Sequence, residues 1–142
     1  GTVNERQAAV KPFDWPVRVY YEDTDAGGVV YHAGYLRFFE RGRTEWLRAL
    51  GYSQARLVEE KGLLFTVAEI SIRFRQPARL DDLLIVRTQA LAGGGATVNF
   101  EQQLLREGEV EALATGQVRV ACIEASSFRP RRLPAELLRE IA

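Results

Sequence analysis

From Ala68 to Arg75 apolar and polar residues alternate strictly, with Ala68, Ile70, Ile72 and Phe74 set against Glu69, Ser71, Arg73 and Arg75. A period of two predicts a half-buried strand, and Pro77 ends it. "LLIVRTQAL" (83–91) predicts a second strand, and the glycines at 93–95 a turn. Val98, Phe100, Gln102 and Leu104 alternate in a third strand, and "REGE" (106–109) turns the chain again. Leu113 to Ile123 predicts a long final strand. Ala112, Ala114, Gly116, Val118 and Val120 lie on one side of it, small enough to face a closely packed helix.

Upstream the period changes. "VRVYY" (17–21) reads as a short strand rich in β-branched and aromatic residues. "EDTDAGG" (22–28) is turn-forming. From about Ala33, Leu36, Phe39, Trp46, Leu47 and Leu50 recur at helical spacing, with Phe38 widening the apolar face. Gly51 sits where a C-terminal cap would, and Ser53 opens a shorter helix that Gly62 closes. "LPAELLREI" (133–141) predicts a short final helix with Pro134 in its first turn. The order is strand, long helix, then four antiparallel strands. One long helix has about the apolar face that one sheet needs covered, so a sheet curled around a single helix is the simplest packing, an α+β fold.

Composition narrows the function classes. Lys plus Arg equals Asp plus Glu at 19 each, so no global charge points to nucleic acid or to an acidic membrane surface. Only Lys11 and Lys61 are lysines, and the remaining arginines suit planar contacts with carboxylate or phosphate. Cys122 is alone, which excludes an internal disulfide and a cysteine metal cluster. With no signal peptide and no apolar run near 18 residues, the expected compartment is the cytoplasm, with no membrane span. Residues 1–12 are polar and aperiodic and begin with Gly1, so they are expected to be a disordered or tag-derived segment. Residues 13–142 are expected to form a single domain.

The candidate chemistry sits in the loop before the long helix. Asp25 either caps the helix, whose positive end favours a carboxylate, or performs catalysis; Asp23 fits a turn role. Gly27 and Gly28 form either a plain tight turn or one that aims a free N–H at a substrate oxygen. His32, the only histidine, follows Asp25 by seven residues, so the two could flank one cleft. One histidine cannot build a metal site unaided, and no G-x-S-x-G elbow supports a serine triad. Gly93–Gly95 lacks the Gly-Lys-Ser/Thr of a phosphate loop. "RPRR" (129–132) is either a solvated tail or a phosphate contact at the mouth of a cleft.

"YYEDTDAGGVVYHAGYLRFFERGRTEWLR" (20–48) resembles the signature of hotdog-fold acyl-CoA thioesterases, and within the 4-hydroxybenzoyl-CoA thioesterase family the Tol-Pal-associated (YbgC-type) group. "FRQPARLDDLLIVRT" (74–88) resembles the family's second block. The resemblance covers about Val17 to Pro134. It implies a hotdog fold, one central helix wrapped by a five-stranded antiparallel sheet. It implies hydrolysis of an acyl-CoA to free acid and CoA without metal or cofactor. The essential carboxylate falls on Asp25, the histidine on His32 and the upstream tyrosine on Tyr21. Gly28 and Tyr31 of the same motif join the expected substrate-binding residues. Arg129, Arg131 and Arg132, with Arg79 behind them, are the expected CoA phosphate contacts. The resemblance also implies sites shared between subunits of a homodimer or homotetramer. A hotdog dehydratase and a non-catalytic acyl-CoA sensor or envelope scaffold are the alternatives. An intact D-T-D loop argues against the first, and an intact Asp25 against the second.

Overall fold

The computed structural model describes residues 12–141, so the expectation for residues 1–11 lies outside the described residues. Five strands, β1 (Phe13–Arg18), β2 (Leu63–Phe74), β3 (Leu83–Ala92), β4 (Thr97–Arg106) and β5 (Ala112–Glu124), form one antiparallel sheet in the order β1-β3-β4-β5-β2. Helix α1 (His32–Ala49) lies on one face. Helix α2 (Gln54–Lys61) and the short α3 (Ala135–Arg139) complete the chain. The α+β hotdog architecture is the one expected.

β1 begins and ends earlier than the alternation suggested. Phe13 to Arg18 pair with Thr88 to Leu83, and Pro16 is tolerated because β1 is an edge strand. Tyr20 and Tyr21 leave the sheet. The buried Asp23 carboxylate accepts the Tyr20 N–H at 2.8 Å and winds residues Tyr21–Asp23 into a 3₁₀ turn. Such a local side-chain bond outweighs the β-propensity of two tyrosines.

The buried face of α1 also differs from expectation. It runs through Gly34, Tyr35, Phe38, Phe39, Gly42 and Leu47, while Leu36 points to solvent. Gly42 sets this rotation. A Cβ there would stand 2.5 Å from Val86 Cγ1 and 2.8 Å from Thr88 Oγ1, so only glycine lets the helix seat so closely on β3. Gly116 on β5 would likewise meet the Phe39 ring at 3.3 Å, as the run of small residues on that strand suggested. Beneath the helix, Gln102 Nε2 donates to Phe39 O and to Thr88 Oγ1, both at 2.9 Å, and Arg43 Nη1 donates to Gln102 Oε1 at 2.9 Å. Burial holds the Arg43 guanidinium below the usual arginine pKa.

The punctuation of α2 matches expectation. Ser53 Oγ accepts the Arg56 N–H, and Gly62 takes the left-handed conformation at φ 65°. In α3, Pro134 is the residue before the helix and not part of its first turn.

β2 departs most from the simple reading. The register shifts between Val67 and Glu69, leaving Ala68 as the extra residue of a β-bulge. The bulge puts Leu63, Phe65 and Val67 on the same face as Ile70, Ile72 and Phe74, so Ala68 does not belong to the alternating apolar set. That face looks toward the helix layer, but β2 is the edge farthest from β1. Val67 is 46% exposed, Ile70 38% and Phe74 46%.

Candidate active site

The loop before α1 is a short hairpin. Thr24 and Val30 form an antiparallel bridge. Asp25 N–H donates to Val29 O at 2.9 Å, and Gly28 N–H donates to Asp25 O at 3.0 Å. Gly28 has φ 78°, a left-handed residue closing the turn as a glycine should. Asp25 Oδ1 accepts the Gly27 N–H at 2.8 Å and, less tightly, the Val29 N–H at 3.4 Å. Both glycine N–H groups are therefore engaged within the turn, which removes them as free donors. Asp25 itself is exposed, and among the described residues no basic side chain forms an ion pair with it.

A second segment braces this hairpin from the side. Val30 N–H donates to Ala78 O at 2.8 Å, Val29 bridges Arg79, and Leu80 N–H donates to Gly28 O at 3.2 Å. Tyr35, buried on α1, accepts the Ala78 N–H on its hydroxyl at 3.0 Å. Asp82 holds the far side of the brace, accepting from Arg79 N–H at 2.9 Å and from Arg106 Nε at 3.1 Å.

α1 starts directly after the hairpin. Its N-cap, Tyr31, contributes no side-chain acceptor, so the first turn keeps uncapped N–H groups at the positive end of the helix. His32 opens that turn. Its ring lies 5.8 Å from Tyr31 and 4.7 Å from Phe74, and Phe74 meets Tyr35 edge-on at 5.0 Å. Phe74 and Tyr35 thus flank His32, although Phe74 was expected only as a strand position and Tyr35 only as part of the motif. Phe74's place at the end of the alternating run, just before the brace, is the signal that could have found it. Tyr21 stands 82% exposed in the 3₁₀ turn that precedes the hairpin.

The expected phosphate arginines do not gather here. Arg79 belongs to the hairpin end of the sheet. Arg129, Arg131 and Arg132 follow the C-terminal end of β5, where Glu124 N–H donates to Arg129 O and Arg131 N–H donates to Cys122 O. The 13 residues of β5 separate the two ends, roughly 40 Å for extended chain. Within one chain, Arg79 therefore does not stand behind the tail arginines. Arg131 is also engaged, at 2.7 Å from Glu124.

Between α1 and the sheet lies a cavity of about 160 Å³, walled by Trp46, Leu47, Phe65, Val98 and Phe100, with Arg43 at its rim. It sits eleven residues along α1 from His32, roughly 16 Å at 1.5 Å per residue. It is separate from the Asp25 hairpin of the same chain.

Residues 19–141 match the family model described as "Thioesterase-like superfamily". The "Acyl-CoA thioesterase YbgC" of Haemophilus influenzae is 51% identical over 125 residues, covering 88% of this chain and 90% of that protein. The "Acyl-CoA thioester hydrolase YbgC" of Escherichia coli O6:H1 is 44% identical over 128 residues, covering 90% and 94%. Among solved structures, a probable thioesterase from Bartonella henselae superposes with a TM-score of 0.80 at 42% identity, covering 87% of this chain and 99% of that one.

Proposed function

This chain belongs to the thioesterase-like superfamily, and from that premise we propose that it hydrolyses acyl-CoA thioesters to a free acid and CoA at the Asp25 hairpin. The observation that carries the reading is an exposed carboxylate, unpaired with any cation among the described residues, held in a clamped turn directly before an uncapped helix N-terminus. A thioester carbonyl needs an attacking oxygen and a donor for the oxyanion that develops. Asp25 supplies the first, either by deprotonating water or by attacking the carbonyl itself. The first-turn N–H groups of α1, at His32 and Ala33, supply the second. The His32 ring, steadied between Tyr31 and Phe74, orients substrate or water. Tyr21, Tyr31 and the Gly28 turn line the approach.

The reading includes a homodimer built on the β2 edge. Val67, Ile70 and Phe74 leave an apolar stripe on an unpaired edge strand, an arrangement that soluble proteins cover. Two copies meeting antiparallel there about a two-fold axis bring the β5 end of one beside Phe74 and His32 of the other. In that arrangement the tail arginines of one chain face the Asp25 hairpin of its partner, close enough for one CoA to use both. Arg129 and Arg132, with Arg131 shared with Glu124, then hold the phosphates, and Arg79 lies at the reacting end. Assembly to a homotetramer, cytoplasmic location and association with a Tol-Pal-type envelope system belong to the same proposal and rest on the resemblance carried by residues 20–48.

The test is incubation with a panel of acyl-CoAs and a thiol reagent. Release of CoA is expected. An enoyl product would instead mark a dehydratase, and saturable binding without turnover a sensor.

A further inference from the structure

Two non-glycine residues among the described ones adopt a positive φ, Asp81 at 71° and Phe128 at 60°. Aspartate tolerates this conformation, but a bulky aromatic rarely does. Phe128 gains nothing from packing in return, because it remains 69% exposed. The segment around it is nonetheless closely determined. Phe128 N–H donates to Glu124 O at 2.7 Å, and Glu124 N–H donates to Arg129 O at 2.8 Å. The Glu124 carboxylate accepts from Ser126, Ser127 and Arg131 at 3.2, 2.9 and 2.7 Å. Ile123 bridges Pro130, and Ser127 Oγ accepts the Arg129 N–H at 3.3 Å. A hub of this kind keeps a strained residue in place. Here it leaves the ring largely exposed one residue before Arg129, while Arg132 lies beside Gly95.

An exposed ring on a backbone fixed by these bonds, with an arginine next to it in the chain, is suited to a nucleotide. Any base offers a π-face for stacking, and the arginines meet its phosphates. Glu124 pairs with Arg131, and among the described residues Arg129 and Arg132 form no ion pair. We propose that Phe128 is the platform on which the adenine of CoA stacks, with Arg129 as the adjacent phosphate contact. The inference rests on the acyl-CoA reading above and adds to it the residue that recognises the base.

The test separates nucleotide from acyl recognition. CoA is titrated calorimetrically into the full chain and into Phe128→Ala and Phe128→Trp. The same proteins are assayed with an acyl-CoA and with the matching acyl-pantetheine, which lacks the nucleotide. Loss of one base stack predicts CoA affinity about five- to hundredfold weaker in Phe128→Ala, a KM for acyl-CoA raised in step, and an unchanged kcat. Acyl-pantetheine kinetics should not move, and Phe128→Trp should keep wild-type affinity. Phe128→Gly, which relieves the backbone, should raise the melting temperature while still weakening CoA binding. The proposal is overturned if Phe128→Ala binds CoA as wild type does, if both substrates suffer equally, or if the variant dissociates an oligomer, which would make Phe128 an interface residue. A chain that binds CoA through Phe128 yet cleaves no acyl-CoA would sink the hydrolytic reading and leave this one standing. A wild-type chain that does not bind CoA overturns it.

Discussion

The two ends of the sheet each carry an acid that organises its own loop, with opposite results. At the hairpin end, Asp25 binds backbone N–H groups two and four residues on, and among the described residues its charge meets no cation. At the tail end, Glu124 collects two hydroxyls and Arg131, and its charge is spent locally. The same device, a carboxylate closing a turn, leaves an exposed acid held by backbone N–H groups at one end and an ion-paired one at the other. The difference lies in which donors are near. Backbone N–H groups orient a carboxylate without neutralising it, whereas a guanidinium pairs with it.

The largest effect should follow from disarming the hairpin. Asp25→Asn keeps an oxygen for the Gly27 N–H, so the turn survives. The missing base or nucleophile should lower kcat by about 10²–10⁴-fold, with the melting temperature near wild type. Steady-state kinetics and a thermal scan check both. His32→Ala should cost far less, about tenfold, since the backbone N–H remains. A fully active Asp25→Asn enzyme would reduce that acid to the same mounting role as Glu124.

Next comes the link between the ends. If a partner's tail completes each hairpin, Ile70→Arg on β2 should yield monomers by light scattering and abolish most acyl-CoA turnover together. Monomers retaining full activity would separate the two ends again. The seat of the helix affects both ends equally. Gly42→Ala forces a methyl into Val86 and Thr88 and should destabilise by about 1–3 kcal/mol in denaturant titration. No measurable loss would show that the helix shifts without cost.

The smallest effect belongs to Glu124. Ser127, then Arg131 and Ser126, hold its carboxyl below the usual glutamate pKa. A folded pKa below the unfolded one contributes stability that is present above the ordinary glutamate value, about 4.3. That stability is lost as pH falls through the lower folded value. Melting curves of Glu124→Gln should therefore differ slightly from wild type at neutral pH and converge with it in acid. A difference that grows as pH falls would contradict this sign.

Much of the fold was legible because it rests on local rules. Gly62 and Ser53 punctuate α2 as their chemistry dictates, and the small residues of β5 announced the helix above them. What the alternation missed was set by tertiary neighbours. Nothing around Leu36 says that it faces outward; Gly42's fit against Val86 decides that. The early end of β1 depends on whether Asp23 turns back to Tyr20, which competes with tyrosine's preference for a strand. Around the candidate site, the turn at Asp25–Gly28 was readable, as was a helix beginning just after it at His32. The distance from Arg79 to the tail arginines was not. Sequence nearness says little about which end of a sheet a loop occupies, and the strand order fixes that.

The bulge at Ala68 bears on how β2 keeps safe company. A flat, regular twelve-residue edge would accept almost any extended chain in almost any register, which is how amyloid-like stacking begins. A strand carrying one surplus residue is notched. A second strand can lie beside it without strain in few alignments, and a two-fold pairing with another copy, notch facing notch, uses up both β2 edges and leaves only β1, interrupted by Pro16, at each end of the sheet. Deleting Ala68 would preserve which residues face inward, because the alternation resumes on both sides. It would smooth the notch away, exchanging a selective edge for an adhesive one.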